Sequence, residues 1–274
     1  MDSALVPAAV VALCLLVFSI THVGLTTERT RARLVAALGP LGFGILYSAI
    51  AFVGFGALVH VYARLQAAGA AGLPFAELWP VRALGISLVV AGIVLATASF
   101  FSPPASTLAL AFKGSRRRAR GLERVTRHPF FAGTVMLGLG HALVAQRLVG
   151  TVAFGGLALM TVVGAMHQDR KLARHLGPSY VEYLSETSFV PFAAILAGRQ
   201  RLLLAEIPWI GLAVSIAVAF LLRSVHSSIL ARDGLWAMGV LMLGVVAATM
   251  LTWLGRRRKR AAGPKEGARA IAQR

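Results

Sequence analysis

Seven apolar runs, at residues 3–21, 40–63, 83–101, 129–146, 148–166, 202–222 and 234–254, divide this chain almost from end to end. Each approaches or exceeds the roughly 20 residues that carry a helix across the hydrocarbon of a bilayer. Hydrophobic residues make up 57% of the chain and charged residues 14%, too little charge for a soluble protein of this length. The pattern predicts an all-α, polytopic transmembrane helical bundle of about seven crossings. It forms a single domain over residues 1–254, followed by a basic, Gly/Ala-rich tail at 255–274 that reads as disordered. The one cysteine, Cys14, leaves neither a disulfide nor a cysteine metal cluster to build on.

The charges give these runs a sidedness. All 28 Lys and Arg residues fall outside them, and the successive loops and tail carry 3, 2, 7, 1, 5, 2 and 8. Alternate loops therefore hold 23 on one side and 5 on the other. By the positive-inside rule the N-terminus lies outside and the C-terminus inside. The net charge of +18 is spread along one membrane face rather than gathered in a folded module, which argues against nucleic acid as a partner. The basic stretch at 113–127 and the tail run Arg256 to Arg260 set topology and meet anionic lipid at the cytoplasmic surface. Residues Met1 to Pro7 include Asp2 and no basic residue, unlike a secretory signal. The expected location is a bacterial cytoplasmic membrane.

Histidines supply the chemistry worth weighing, because ionisable groups in membrane segments are costly and usually functional. His22, His128 and His167 fall at cytoplasmic ends of the runs, with Asp169 beside them. His60 and His141 fall toward the outer side. From His128 to His141 is roughly 20 Å of helix, so the two belong to different layers. An inner layer of His22, His128, His167 and Asp169 and an outer layer of His60 and His141 follow. His175 and His226 read as solvated loop residues. The hairpin from Pro129 starts and ends on one side, which brings Arg127 and His128 to His167 and Asp169 as a candidate catalytic cluster. Each has a plainer reading: Arg127 and His128 at the headgroups, Asp169 with Arg170 as an interfacial pair, Tyr180 and Tyr183 as an aromatic belt. His141, deep in an apolar run, is the strongest candidate for a ligand role.

Five motifs occur in order: Thr126-Arg127-His128-Pro129, Gly140-His141, His167-Gln168-Asp169-Arg170, Thr187-Ser188-Phe189-Val190-Pro191-Phe192 and Gly198-Arg199. In order and spacing they resemble the NnrU-domain integral membrane proteins, over a region of about 10–202. That family includes a bacterial protein tied to nitrogen-oxide metabolism and is related to the plant ζ-carotene isomerase. The resemblance implies a haem b-associated bundle, with His22 and His141 at the positions of the iron ligands. It also implies redox or isomerase-type chemistry on a hydrophobic small molecule, or support of denitrification. The depth of the residues would instead pair His141 with His60.

A more distant likeness is to the isoprenylcysteine carboxyl and phospholipid methyltransferases. It rests on Arg127, His128, Pro129, Phe131, Gly133 and the Tyr180/Tyr183 segment. It implies S-adenosylmethionine as cofactor and a lipid-soluble acceptor, but Gln168 and Asp169 stand where that family has paired glutamates. Three functions are therefore carried forward: a haem-dependent isomerase or oxidoreductase, a membrane methyltransferase, and a non-catalytic assembly factor.

The charge split makes a direct prediction. Periplasm-active reporters fused within 66–80 or 227–231 will be active, and those within 104–121 inactive; the reverse pattern contradicts the orientation.

Overall fold

The structure, a computed structural model, describes residues 2–101 and 118–229. The seventh apolar run and the basic tail lie outside the described residues, as does the loop at 102–117. Among the described residues there are helices and turns only, apart from one isolated bridge between Ala71 and Arg147. The α-helices are α1 (Val6–Gly24), α2 (Glu28–Leu65), α3 (Trp79–Ala98), a short α4 (Leu122–Val125), α5 (Pro129–Val144) and α6 (Leu148–Leu176). They are followed by α7 (Pro178–Glu186), α8 (Ala193–Leu196), α9 (Trp209–Ser224) and α10 (His226–Ile229).

Four stretches, Ser3–Gly24, Glu28–Leu65, Trp79–Phe101 and Leu148–Leu176, are long and apolar enough to cross a membrane. The helices α5 and α9 are apolar but shorter, at 16 residues each. The chain is thus an all-helical integral membrane protein, and the expectation of seven crossings goes beyond these four helices.

Helix boundaries differ from the apolar runs for local reasons. Helix α2 begins twelve residues before Pro40 and crosses a kink at Gly39, whose φ of 72° only glycine adopts freely. Helix α6 runs ten residues beyond the apolar stretch, because Gln168, Asp169 and Arg170 do not stop a helix. It ends where Gly177 takes φ 64° and Pro178 starts α7. Helix α9 begins at Trp209 rather than at residue 202, since Pro208 stands directly before it and a 3₁₀ turn, Leu204–Glu206, fills the approach.

Helices α3 and α5 pack backbone to backbone. A Cβ on Gly92 would lie 2.6 Å from the Gly133 carbonyl oxygen, and one on Gly140 2.5 Å from that of Gly85. Only small residues permit such an approach, the usual basis of helix association in lipid. Helix α1 packs on α2 and α6 through Val11, Leu15, Phe18, Leu58 and Val149. Its opposite face, with Leu13 and Ile20 each 61% exposed, is left for lipid.

Two poles result. At the near pole, beside the N-terminus, the loop after α2 joins the turn between α5 and α6. There Ala70 N–H donates to Ala4 O (2.8 Å), Leu148 N–H to Ala70 O (3.0 Å), and the Arg147 guanidinium to Gly69 O (3.2 Å). At the far pole lie the end of α1, the start of α5, the end of α6 and the entry to α9. Arg124 of α4 grips Glu206 there with two hydrogen bonds of 2.8 and 3.0 Å, and Gly121 N–H adds a third of 2.8 Å. The Arg124 hydrogen bond holds the Glu206 carboxyl down at about 2.

Candidate functional site at the far pole

The far pole is shaped by two segments lying side by side. Residues 125–127 pair with the 187–192 strap: Arg127 N–H donates to Ser188 O (2.8 Å), Phe192 N–H to Val125 O (2.8 Å), and Thr126 Oγ1 to Phe189 O (2.7 Å). Thr126 is fully buried. The strap is held in turn by Arg199, which donates to Ser185 O (2.7 Å), and by Thr187 Oγ1, which donates to Tyr183 O (2.6 Å). Phe192 closes it in the left-handed region, at φ 64°, a conformation rarely held by a bulky residue without support from its surroundings.

These segments deliver three donors to one carboxylate. Asp169, buried near the end of α6, accepts from Arg127 Nε at 2.8 Å on Oδ2 and from His128 Nε2 and Tyr180 OH, each at 2.7 Å, on Oδ1. A carboxylate offers about four acceptor positions, so three charge-assisted or short bonds nearly fill it. Burial, reinforced by the neighbouring Asp169 charge, pushes the Tyr180 phenol well above its ordinary range, which keeps it a donor. His128, itself buried, caps α5 just before Pro129, and its ring packs between Phe131 and Phe189.

The other face of the same stretch of α6 does something different. His167 and Lys171 each lie two residues from Asp169, about 200° around the helix, and line a cavity rather than the carboxylate cluster. The cavity has a volume of about 540 Å³. Its walls are apolar, with Phe18, Phe55, Phe130, Phe131, Leu157 and Met160 from four helices. His22, Tyr47, His167, Gln168 and Lys171 supply its polar groups. The Tyr47 hydroxyl hydrogen-bonds the His22 ring, 2.9 Å from Nε2. His167 Nε2 is buried with no hydrogen-bond partner among the described residues.

The structure therefore sorts the expected residues. Arg127, His128 and Asp169 meet as expected. His167 does not join them, because helical rotation turns it to the cavity with His22. His141 is remote from both: its Nδ1 donates to Leu137 O (2.9 Å) and its ring stacks on Phe154 at 4.6 Å. His226 is exposed, as expected, but opens α10 rather than lying in a loop, and stacks 6.1 Å from His141. His175 lies on the exposed last turn of α6, donating to Lys171 O (2.8 Å). Phe154 contacts both His141 and Tyr62, whereas His60, two residues from Tyr62, points elsewhere with Nδ1 buried and unpaired among the described residues. Among the described residues no hydrogen bond or ring contact joins His60 to His141 or His22 to His141. Tyr47 and the Tyr180 hydroxyl are site members that the sequence reading missed. A lone phenol inside an apolar run, at Tyr47, was the available signal.

The sequence matches the family described as NnrU protein over residues 10–254. It is 28% identical over 203 residues to the chloroplastic 15-cis-zeta-carotene isomerase of Arabidopsis thaliana, covering 72% of this chain and 53% of that protein. It is 39% identical over 82 residues to the chloroplastic 15-cis-zeta-carotene isomerase of Zea mays, covering 30% of this chain and 22% of that one. The chain thus spans about half the length of the first relative and less of the second. No solved structure matches it.

The carboxylate cluster sets an order of mutational cost. Asp169→Ala strands a guanidinium and a buried imidazole and will destabilise the protein by about 3–5 kcal/mol. Tyr180→Phe removes one bond to a charged acceptor and will cost about 1.5–3 kcal/mol. Thermal unfolding in detergent measures both, and a double-mutant cycle of Arg127→Ala with Asp169→Ala will show coupling of at least about 1 kcal/mol. Equal costs with no coupling would contradict the assignment of Asp169 as the shared acceptor.

Proposed function

Because the chain belongs to the NnrU family, we propose that it is an isomerase-type integral membrane enzyme. It acts on an extended, lipid-soluble polyene at the far-pole cavity. The observation that carries this reading is the cavity itself, apolar-walled and open to one side, with two imidazoles and a phenol at its polar end. Such a pocket, apolar with a few convergent polar groups, is the usual form of a small-molecule site. Phe130 and Phe131 give an unsaturated chain flat surfaces to lie against, between the packed α1 and α6. The hydrogen bond from Tyr47 orients the His22 ring, and the Asp169 cluster fixes the end of α6 that presents His167.

Haem b is the cofactor proposed with this reading. His167 faces the cavity with a buried, unpaired Nε2, the kind of atom a metal satisfies, and His22 faces it with its ring held by the Tyr47 hydroxyl, which an iron would have to displace. The His22 and His141 set does not fit one iron here, because His141 lies with Phe154 and His226, away from the cavity lining. When bound, haem would supply an iron centre whose electronics its imidazole ligands tune. The protein's own residues hold the ligand, keep the pocket dry and fix the orientation of the rings.

Methyl transfer is the weaker alternative. Asp169, the acid standing where that family has paired glutamates, already accepts three hydrogen bonds. With the main reading go seven crossings, an outside N-terminus, a bacterial cytoplasmic membrane and a place in nitrogen-oxide metabolism, each proposed and each separable from the chemistry. A non-catalytic role in assembly would leave the cavity without a turned-over ligand.

The test pairs visible spectra with an isomerisation assay on a cis-polyene hydrocarbon in detergent micelles, products being read by chromatography. The expected protein shows a Soret band with sharpened bands on reduction. His22→Ala and His167→Ala lose colour and isomerisation, and His141→Ala keeps both. Loss in His141→Ala with His167→Ala unaffected would overturn the cavity assignment, and a colourless protein that binds S-adenosylmethionine would favour methyl transfer.

A further inference from the structure

Helix lengths set the depth of the far pole. Arg147 caps the start of α6, a polar residue that marks one edge of the hydrocarbon. Asp169 stands 21 residues beyond Leu148, about 32 Å at 1.5 Å per residue. That matches the roughly 30 Å thickness of bilayer hydrocarbon, so the Asp169 cluster lies at the opposite edge. The strap bonds to residues 125–127, and Arg127 and His128 bond to Asp169, which holds the strap at the same level. Helix α9 has 16 residues and spans about 24 Å, about 6 Å short of a crossing. Leu202, Leu203 and Leu204 directly precede it and supply the missing apolar length.

The surface at this level is apolar where a solvated loop would be polar. Val190, Phe192, Leu196 and Leu204 are exposed, Leu196 to 86%. Residues 187–204 include no acidic side chain, and their two charges, Arg199 and Arg201, are exposed cations. The patch continues into Trp209 and the 80% exposed Ile210, where the lipid-facing side of α9 begins. The Trp209 indole donates to Leu204 O at 3.1 Å, and tryptophan is enriched at membrane interfaces.

The backbone here is also suited to a low dielectric. Eight N–H groups between Phe192 and Gln200 donate to backbone carbonyls, among them Phe192 to Val125 O (2.8 Å), Leu196 to Phe192 O (2.9 Å) and Gln200 to Ala194 O (3.1 Å). Irregular backbone at membrane depth is tolerated only where its polar groups are satisfied. A solvated loop has water for that purpose.

We propose that residues 187–204 form an interfacial wedge seated in the far-pole leaflet of the bilayer. Val190, Phe192, Leu196 and Leu204 enter the acyl-chain boundary, and Arg199 and Arg201 meet the lipid phosphates. The hydropathy pattern alone leaves the strap and α8 in a loop outside the membrane; this assignment moves them into its surface. The wedge also backs the cavity wall. Phe189 of the strap packs on His128 at 6.3 Å between rings, and His128 on Phe131, a cavity residue, at 5.6 Å.

The test uses the full chain in lipid nanodiscs of phosphatidylcholine and phosphatidylglycerol. In a Cys14→Ser background, Leu196→Cys, Leu204→Cys and His175→Cys each carry an NBD fluorophore. His175, on the exposed last turn of α6, lies beyond the hydrocarbon edge and is the solvated comparison. Labels at 196 and 204 will be quenched severalfold more by lipid spin-labelled high on its acyl chain than by aqueous iodide, and the label at 175 will show the reverse. Iodide quenching at 196 and 204 equal to that at 175 overturns the proposal, because the segment is then solvated. Quenching there by neither agent also overturns it, because another protein surface then covers the patch.

Discussion

The arrangement of the far pole depends on one buried carboxylate. Asp169 draws in Arg127 from the residue before the α5 cap, His128 from the cap itself, and Tyr180 from α7. Taking a carboxylate and a guanidinium out of water costs several kcal/mol per ion, and the cost is offset only where every donor finds its acceptor. That requirement locks three chain segments into one geometry. The strap at 187–192 lies along residues 125–127 as part of the same construction, so motifs spaced along the chain become a single packed unit in space.

From that anchor the remaining geometry follows by helical rotation. The polar extension of α6 carries two chemistries on two faces, one saturated and one open. Asp169 faces inward to its donors, and the face about 200° away brings His167 and Lys171 to the cavity. A shift of α6 by two residues would exchange these faces. The saturated side is therefore best understood as the positioning element of the open side. At the near pole, by contrast, His141 and His226 stack on each other beside Phe154 in a setting made of backbone hydrogen bonds and ring contacts.

How much of this was legible in the sequence varied with the range of the interaction. The membrane class and the helical content follow from the apolar runs, which record burial in lipid directly. The meeting of Arg127, His128 and Asp169 was legible because a hairpin returns to the side from which it starts. The assignment of His167 to that group failed because proximity in sequence says nothing about the face of a helix that continues past its apolar stretch. Tyr180 was read as a headgroup aromatic, since a phenol's partner 11 residues away across Gly177 and Pro178 depends on a turn that the pattern does not specify. The Tyr47–His22 contact joins residues 25 apart across the Gly39 kink and was invisible for the same reason. Helix α9 starts late because of Pro208, a local signal that was present and outweighed by hydropathy.

The central claim, that the far-pole cavity is where the ligand sits, is most directly tested by ligand protection of a thiol placed in its wall. Gly164 lines the cavity, and a Cβ there meets nothing within 4 Å, so Gly164→Cys in a Cys14→Ser background preserves the packing. Gly155→Cys, whose Cβ would touch only Ala142 at 3.8 Å and which does not line the cavity, is the comparison. The measurement is the rate of maleimide labelling with and without a saturating cis-polyene hydrocarbon. The account predicts labelling at residue 164 slowed severalfold by the ligand and labelling at residue 155 unchanged. Protection at 155 with none at 164 would contradict it.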